Sequence, residues 1–93
     1  MKISEIVWLQ KIVDKIAVKH DLTKEEVEEV FLNKPQYRFV ELGDVEGEHI
    51  YSALGRTEAG RYVTVIFIFK AGGRALIITA RDMDRKERRL YGK

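Results

Sequence analysis

The sequence contains no cysteine and only one proline in 93 residues. Without cysteine the chain has no disulfide, no thiol nucleophile, no cysteine-ligated zinc and no iron–sulfur cluster. The longest apolar run, Val63–Phe69, is interrupted by Thr64 and is far shorter than the ~20 residues of a membrane span, so we expect no membrane partner. The amino-terminal residues mix charged with apolar side chains and lack a small-residue cleavage site, so we predict no secretory signal and a cytoplasmic location.

The composition is that of an ordinary folded domain. Hydrophobic residues make up 45% of the chain and charged residues 34%, which excludes collagen-like, low-complexity and disordered classes. The length allows one domain, residues 1–93, with a single modest core.

Charge is polarised along the chain, although the net charge is only +2. Residues 21–48 hold nine acids against three bases, and residues 74–93 hold seven bases against three acids. This distribution suggests a basic face for nucleic acid or for an acidic partner. A solvated surface of mixed salt bridges explains it equally well.

Two amino-terminal helices are predicted. The first has an apolar stripe at helical spacing and closes at Lys19–His20; the stripe consists of Ile12, Val13, Ile16 and Ala17. Residues 3–8 fit either a short strand or an extension of this helix. Thr23 and Glu26 form a capping box that starts the second helix, which ends before Pro35.

A change of period to two predicts strands from Tyr37 onward. The predicted strands, joined by short turns, span residues 37–41, 50–55, 62–69 and 75–81. They form a three- to four-stranded antiparallel meander with the third of them central. Asp84 and Glu87 cap a short last helix, which is too short to persist unless it docks on the sheet. The fold class is therefore α+β, with two amino-terminal helices, an antiparallel sheet and a short carboxy-terminal helix.

The sequence patterns of several enzyme classes are absent. His20 and His49 are far apart and show no metal-ligand spacing, so we predict no metal site. The glycines form neither a GxGxxG nor a Walker pattern. No serine lies in a hydrolase elbow. We therefore expect no cofactor.

A constellation of cations remains. Arg81 ends the last strand, and the helix after it carries Arg85, Arg88 and Arg89. Joined by Arg56, Arg61 and Lys19–His20, these side chains could hold successive phosphates of a nucleic acid. A purely structural alternative is that Arg81 pairs with Glu87 or Asp84, and that Tyr91 anchors its helix.

These residues resemble a known family. Residues 80–91 are similar to the carboxy-terminal signature of the BrnT toxins, in which a strand ending in Ala-Arg leads to a helix reading Glu-Arg-x-x-Tyr. Residues 19–31 resemble the Lys-His and Glu-x-Phe elements of that family. Residues 53–57 and 61–65 resemble its second-strand segment and its central strand. The resemblance covers about residues 8–91.

The resemblance implies a fold similar to RelE and ParE, and a ribonuclease toxin that blocks translation. It also implies a partner, a BrnA-like ribbon-helix-helix antitoxin that binds DNA, assembled with the toxin as a heterotetramer. The positions that match the family motifs are Lys19, His20, Arg56, Arg81, Glu87, Arg88 and Tyr91. The chain departs from the family pattern at His49, where many members have Arg, and after Trp8, where an Asp is common.

The sequence thus yields one mechanistic hypothesis and one alternative. RNA carries its own nucleophile, the 2′-hydroxyl, so cleavage needs no metal. The predicted catalytic residues are His20, Arg56, Arg81 and Glu87. The predicted RNA-binding residues are Lys19, Arg61, Arg85, Arg88, Arg89 and Tyr91. The alternative is a non-catalytic module that binds nucleic acid or protein, such as a degenerate toxin kept as a co-repressor.

Overall fold

A computed structural model describes residues 1–92 of the chain. One five-stranded sheet, in the order β1-β5-β4-β3-β2, forms the centre of the fold. The elements in chain order are β1 (Glu5–Val7), α1 (Gln10–His20), α2 (Lys24–Leu32), β2 (Gln36–Glu41), β3 (His49–Arg56), β4 (Tyr62–Lys70), β5 (Arg74–Asp82) and α3 (Arg85–Leu90). The α+β class and the central position of β4 are confirmed.

The predicted sheet was one strand too small. Strands β2 to β5 form the expected antiparallel meander, but β1 adds a fifth strand that runs parallel to β5. Of the two alternatives for residues 3–8, the strand is correct, and α1 begins only at Gln10. Three residues are too few for a periodicity signal, and the partner of Ile6 is the remote Ala75. Such non-local pairing is invisible in local sequence.

Helices α1 and α2 cover one face of the sheet and form the core with it. Ile16, Val27 and Val30 of the helices are fully buried with Val65 and Phe67 of β4. The capping box of Thr23 and Glu26 is present at the start of α2. This helical layer fixes which face of each strand is buried, because side chains alternate along a strand.

Helix α3 lies on the other face, at one end of the sheet. Its predicted capping box is present, with Asp84 accepting from the Glu87 amide. The Glu87 side chain contacts β4, and beyond the helix the Gly92 amide donates to Gln36 of β2. Helix α3 therefore runs across the strands from β5 towards β2. No helix within residues 1–92 is long and apolar enough to cross a membrane.

Candidate active site

The face of the sheet opposite α1 and α2 carries the predicted site residues Arg56 and Arg81. Val63 is buried beneath the helices, so alternation turns its neighbours Tyr62 and Thr64 to the opposite face. Arg56 is in register with Tyr62 across β3 and β4, and Arg81 is in register with Thr64 across β4 and β5. The two arginines therefore flank β4 on one face of the sheet.

Two guanidinium groups lie over the ring of Tyr62. The Cζ atom of Arg88 lies 3.6 Å from the ring centroid and that of Arg56 lies 4.7 Å from it. Tyr91 packs edge-on against the same ring, at 5.9 Å between centroids. Cations favour such positions because the face of an aromatic ring is electronegative. We call Arg56, Tyr62, Arg88 and Tyr91 the Tyr62 cluster.

Neither arginine of the Tyr62 cluster has a carboxylate partner within residues 1–92. Both residues are exposed, so their N–H donors face solvent and can bind an incoming anion. A planar guanidinium fits two oxygens of one phosphate, and charge-assisted hydrogen bonds of this kind are the stronger ones. The cluster is therefore a cationic surface whose N–H donors are open to solvent.

Arg81, in contrast, is already paired. Its Nη1 and Nη2 atoms lie 2.7 and 2.9 Å from the two carboxylate oxygens of Glu87. The Glu87 carboxylate also accepts from the Thr64 hydroxyl at 2.9 Å and from the Asp84 amide at 2.9 Å. The structural alternative, in which Arg81 pairs with Glu87, is therefore confirmed. This ion pair anchors α3 to the sheet.

The same contacts set the ionisation of this pair. Burial alone would raise the pKa of Glu87, but hydrogen bonds from Arg81, the Asp84 amide and Thr64 outweigh it and hold that pKa below its ordinary value. The hydrogen bond to Glu87 raises the pKa of the Arg81 guanidinium. Glu87 is therefore an anion with its oxygens occupied, which makes it a poor general acid or base in this conformation.

Arg61 has a structural role, because it binds the end of α1 and two carboxylates. Its guanidinium donates to the backbone oxygens of His20 at 2.8 Å and Asp21 at 2.6 Å, which end α1. It also lies 2.7 Å from Asp82 and 3.7 Å from Glu26. The hydrogen bond from Arg61 lowers the pKa of Asp82. Arg61 therefore links α1, α2 and β5. Because nearby carboxylates neutralise its charge, we expect it to contribute little to RNA binding.

The remaining predicted residues are spread around this end of the molecule. His20 is half-buried at the end of α1, behind Arg61, on the helical side of the sheet. Lys19, Arg85 and Arg89 are exposed and have no carboxylate partner within residues 1–92. His49 lies at the other end of β3, where its ring accepts from the Gly43 amide at 3.4 Å and contacts Phe39. The structure therefore brings Arg56, Arg88 and Tyr91 together and leaves the histidines outside that cluster.

Sequence reasoning missed Tyr62, the residue at the centre of the cluster. One signal for it existed, because the turn after Arg56 places Arg56 and Tyr62 opposite each other in a hairpin, and facing side chains in a hairpin interact. The contact with Arg88 had no such signal, since it depends on how α3 docks.

Two further features of residues 1–92 bear on the site. They contain no group of three or more His, Asp or Glu side chains arranged to hold a metal ion. A groove of about 510 Å³ lies under the amino-terminal segment and includes Ile3, Phe31 and Tyr37. None of the predicted catalytic or RNA-binding residues lines that groove.

Comparison with known proteins decides the family. A family model described as the ribonuclease toxin BrnT of type II toxin–antitoxin systems matches residues 10–87. The chain belongs to the BrnT family. A solved structure, the Brucella abortus ribonuclease toxin BrnT, is similar to this chain with a TM-score of 0.60 and 17% identity, covering 87% of this chain and 97% of that one. No curated protein matches the chain.

Membership of the BrnT family confirms the resemblance seen in the sequence. The matched residues include Arg56, Tyr62, Arg81 and Glu87, while Arg88 follows directly after them. As a BrnT protein the chain is a ribonuclease toxin of a type II system, and such a toxin has an antitoxin partner. The similarity to the Brucella abortus BrnT structure supports the fold.

Proposed function

We propose that this BrnT protein cleaves RNA without a metal ion, at the face of the sheet that holds the Tyr62 cluster. The observation that carries the proposal is the pair of guanidinium groups, Arg56 and Arg88, which lie over one ring and have no carboxylate partner within residues 1–92. Cleavage of RNA next to its own 2′-hydroxyl builds up negative charge on the phosphate oxygens. Preorganised cations at that position stabilise the transition state.

The reaction uses only groups of the RNA and side chains of the protein. The 2′-oxygen attacks the adjacent phosphorus as its proton passes to a base, and the bond from phosphorus to the 5′-oxygen breaks. The leaving 5′-oxygen takes up a proton, which gives a 2′,3′-cyclic phosphate and a 5′-hydroxyl. Arg56 and Arg88 hold the phosphate oxygens. His20, the proton carrier predicted from the sequence, lies at the end of α1 and outside the Tyr62 cluster, so in this conformation it exchanges protons with the RNA only through water.

The other predicted residues have supporting roles in this proposal. Arg81 and Glu87 hold α3, and so Arg88, in place through their ion pair. Tyr91 packs on Tyr62. Lys19, Arg85 and Arg89 attract the RNA backbone through their charge.

The cellular part of the proposal follows from the family. The toxin acts in the cytoplasm, where RNA cleavage blocks translation. Its antitoxin is a BrnA-like ribbon-helix-helix protein that forms a heterotetramer with it. Membership of a type II toxin family supports a protein antitoxin.

Cleavage in the presence of a chelator tests the proposal. The purified protein is incubated with labelled RNA in EDTA, and the products are examined for 2′,3′-cyclic phosphate ends. The double variant Arg56→Gln/Arg88→Gln is expected to lose at least about a hundredfold in rate. The control Arg74→Gln removes an exposed arginine at the opposite end of β5 and is expected to cleave normally. Activity that requires added metal, or an active double variant, contradicts the proposal.

The structure also gives specific support to the alternative, a non-catalytic partner or co-repressor. Arg81 and Glu87, two of the four predicted catalytic residues, neutralise each other. If the alternative is correct, the protein binds RNA or its antitoxin but produces no new RNA ends. Inducible expression with and without the neighbouring gene separates the two functions, because only the toxin arrests growth and is rescued.

A further inference from the structure

Tyr62 is more firmly held than the two arginines on its ring. It is the first residue of β4, and its backbone oxygen accepts from the Met83 amide at 3.1 Å. Its ring is half-buried, with Tyr91 against its edge. The phenolic hydroxyl makes no hydrogen bond to any other part of residues 1–92. Tyr62 therefore contacts Arg56 and Arg88 through the face of an aromatic ring that is held in place.

The arginines, in contrast, are long exposed side chains of equal charge. The contacts of both with one ring place the two guanidinium groups within about 8 Å of each other. Their mutual repulsion and their rotamer freedom both oppose such an arrangement. The ring attracts both cations and limits the conformations of both side chains, so the pair is arranged before any RNA arrives.

We infer that Tyr62 is a positioning residue of the ribonuclease site, because its ring holds Arg56 and Arg88 where both reach one scissile phosphodiester. This inference rests on the proposed function and adds a residue to it. The ring alone performs this task, since the hydroxyl has no hydrogen-bond partner within residues 1–92. Tyr62 acts through the two guanidinium groups and does not exchange a proton with the RNA.

The test compares variants that keep or remove the ring. Tyr62→Phe keeps it, whereas Tyr62→Leu and Tyr62→Val remove it and remain compatible with a strand. Tyr37→Leu is the matched control, because Tyr37 is a half-buried tyrosine of β2 whose ring contacts Phe67 on the helical side of the sheet. For each protein one measures kcat and KM for RNA cleavage in EDTA, the melting temperature, and the salt dependence of RNA binding.

The phenylalanine variant and the Tyr37 control are expected to stay within about threefold of the original kcat. The leucine and valine variants are expected to lose about tenfold in kcat, with KM changed by less than about threefold, because the cations are present but misplaced. The slope of log binding constant against log salt is expected to stay constant in these variants. It falls by about 0.7 in Arg56→Gln, which removes a cation.

Each other outcome overturns a definite statement. Unchanged kcat in a folded leucine or valine variant overturns the inference and leaves the ribonuclease intact. Loss of activity in Tyr62→Phe also overturns it, because the hydroxyl then takes part directly. If neither aliphatic variant folds, Tyr62 is essential to the fold and the positioning role is rejected. If the original protein does not cleave RNA, the proposed function fails first, and this inference fails with it.

Discussion

Arg81 and Glu87 meet through two parallel hydrogen bonds, 2.7 Å from Nη1 to Oε1 and 2.9 Å from Nη2 to Oε2. The same carboxylate accepts from the hydroxyl of Thr64, a fully buried residue. It therefore links α3 to both β4 and β5. Helix α3 has only six residues, too few to persist alone, so this ion pair anchors the helix that carries Arg88.

The first prediction concerns that anchor. Glu87→Ala removes the partner of Arg81, leaves the buried Thr64 hydroxyl without its acceptor and breaks the capping box. We expect a loss of about 2 kcal/mol in the free energy of unfolding, measured with urea. Lys86→Ala, an exposed neighbour in α3, is expected to change it by less than about 0.5 kcal/mol. Equal stability of the two variants would show that the ion pair does not hold α3.

The second prediction is a pH dependence of stability that comes from Glu87. Its pKa in the folded protein lies below the ordinary value of 4.5, so the unfolded chain takes up the proton first as the pH falls. The stabilisation is fully present above pH 4.5 and is lost as the pH drops through the folded pKa. We expect the free energies of unfolding of the original protein and Glu87→Gln to differ most near neutral pH and to converge in acid.

A second acid, Asp82, contributes in the same direction, because its hydrogen bond with Arg61 also lowers its pKa. For this reason the comparison with Glu87→Gln is needed, since subtracting the two curves leaves the part that belongs to Glu87. A constant difference between the two proteins from pH 7 to about pH 3 would contradict the assignment.

Local signals in the sequence were enough to place most elements of the fold. The capping boxes at Thr23 and Asp84 were predicted and are present, because a cap depends on residues only three positions apart. The central strand β4 was recognised from its β-branched and aromatic residues. The sequence alone does not decide strand β1, since its pairing with β5 joins Glu5 to the distant Arg74.

The candidate site was harder to predict, because charge alone does not show which cations are paired. Arg56, Arg61, Arg81 and Arg88 are equivalent as sequence letters. In the structure, Arg61 and Arg81 form ion pairs with carboxylates. Arg56 and Arg88 instead lie over the ring of Tyr62. That division depends on the docking of α3 and on the end of α1, which are tertiary contacts without a local pattern.

The third prediction separates Arg61 from the RNA-binding residues. Arg61→Ala removes two hydrogen bonds to the end of α1 and the ion pair with Asp82, so we expect a loss of about 2 kcal/mol in unfolding free energy. Arg61→Lys is expected to restore less than half of it, because one ammonium cannot replace the planar fork.

The salt dependence of RNA binding gives the matching measurement. Arg61 is neutralised by Asp82 and Glu26, so the slope is expected to be the same for the original protein and for folded Arg61→Ala. Arg89→Ala, which removes an exposed cation of α3, is expected to lower the slope by about 0.7 with little change in stability. If the slope fell for the Arg61 variant and stayed the same for Arg89→Ala, Arg61 would be the residue that contacts RNA.

The fourth prediction concerns Gly60, which lies against Arg56. A Cβ atom on Gly60 would come within 2.9 Å of the Arg56 Nη2 atom, and the residue has a φ of +91°. Gly60→Ala is therefore expected both to strain the backbone, by about 1 kcal/mol, and to push Arg56 away from Tyr62. Gly72→Ala is the control, because Gly72 has a φ of +83° but nothing within 4 Å of its Cβ position.

The two variants should thus lose similar stability but differ in function. We expect Gly60→Ala to cleave RNA at least about threefold more slowly than Gly72→Ala, since only the former displaces a cation from the Tyr62 cluster. Thermal unfolding measures the shared backbone strain, and cleavage in EDTA measures the effect on Arg56. Equal cleavage rates at equal stability would mean that the guanidinium of Arg56 need not lie beside Gly60, and the role given to its contact with Tyr62 would be wrong.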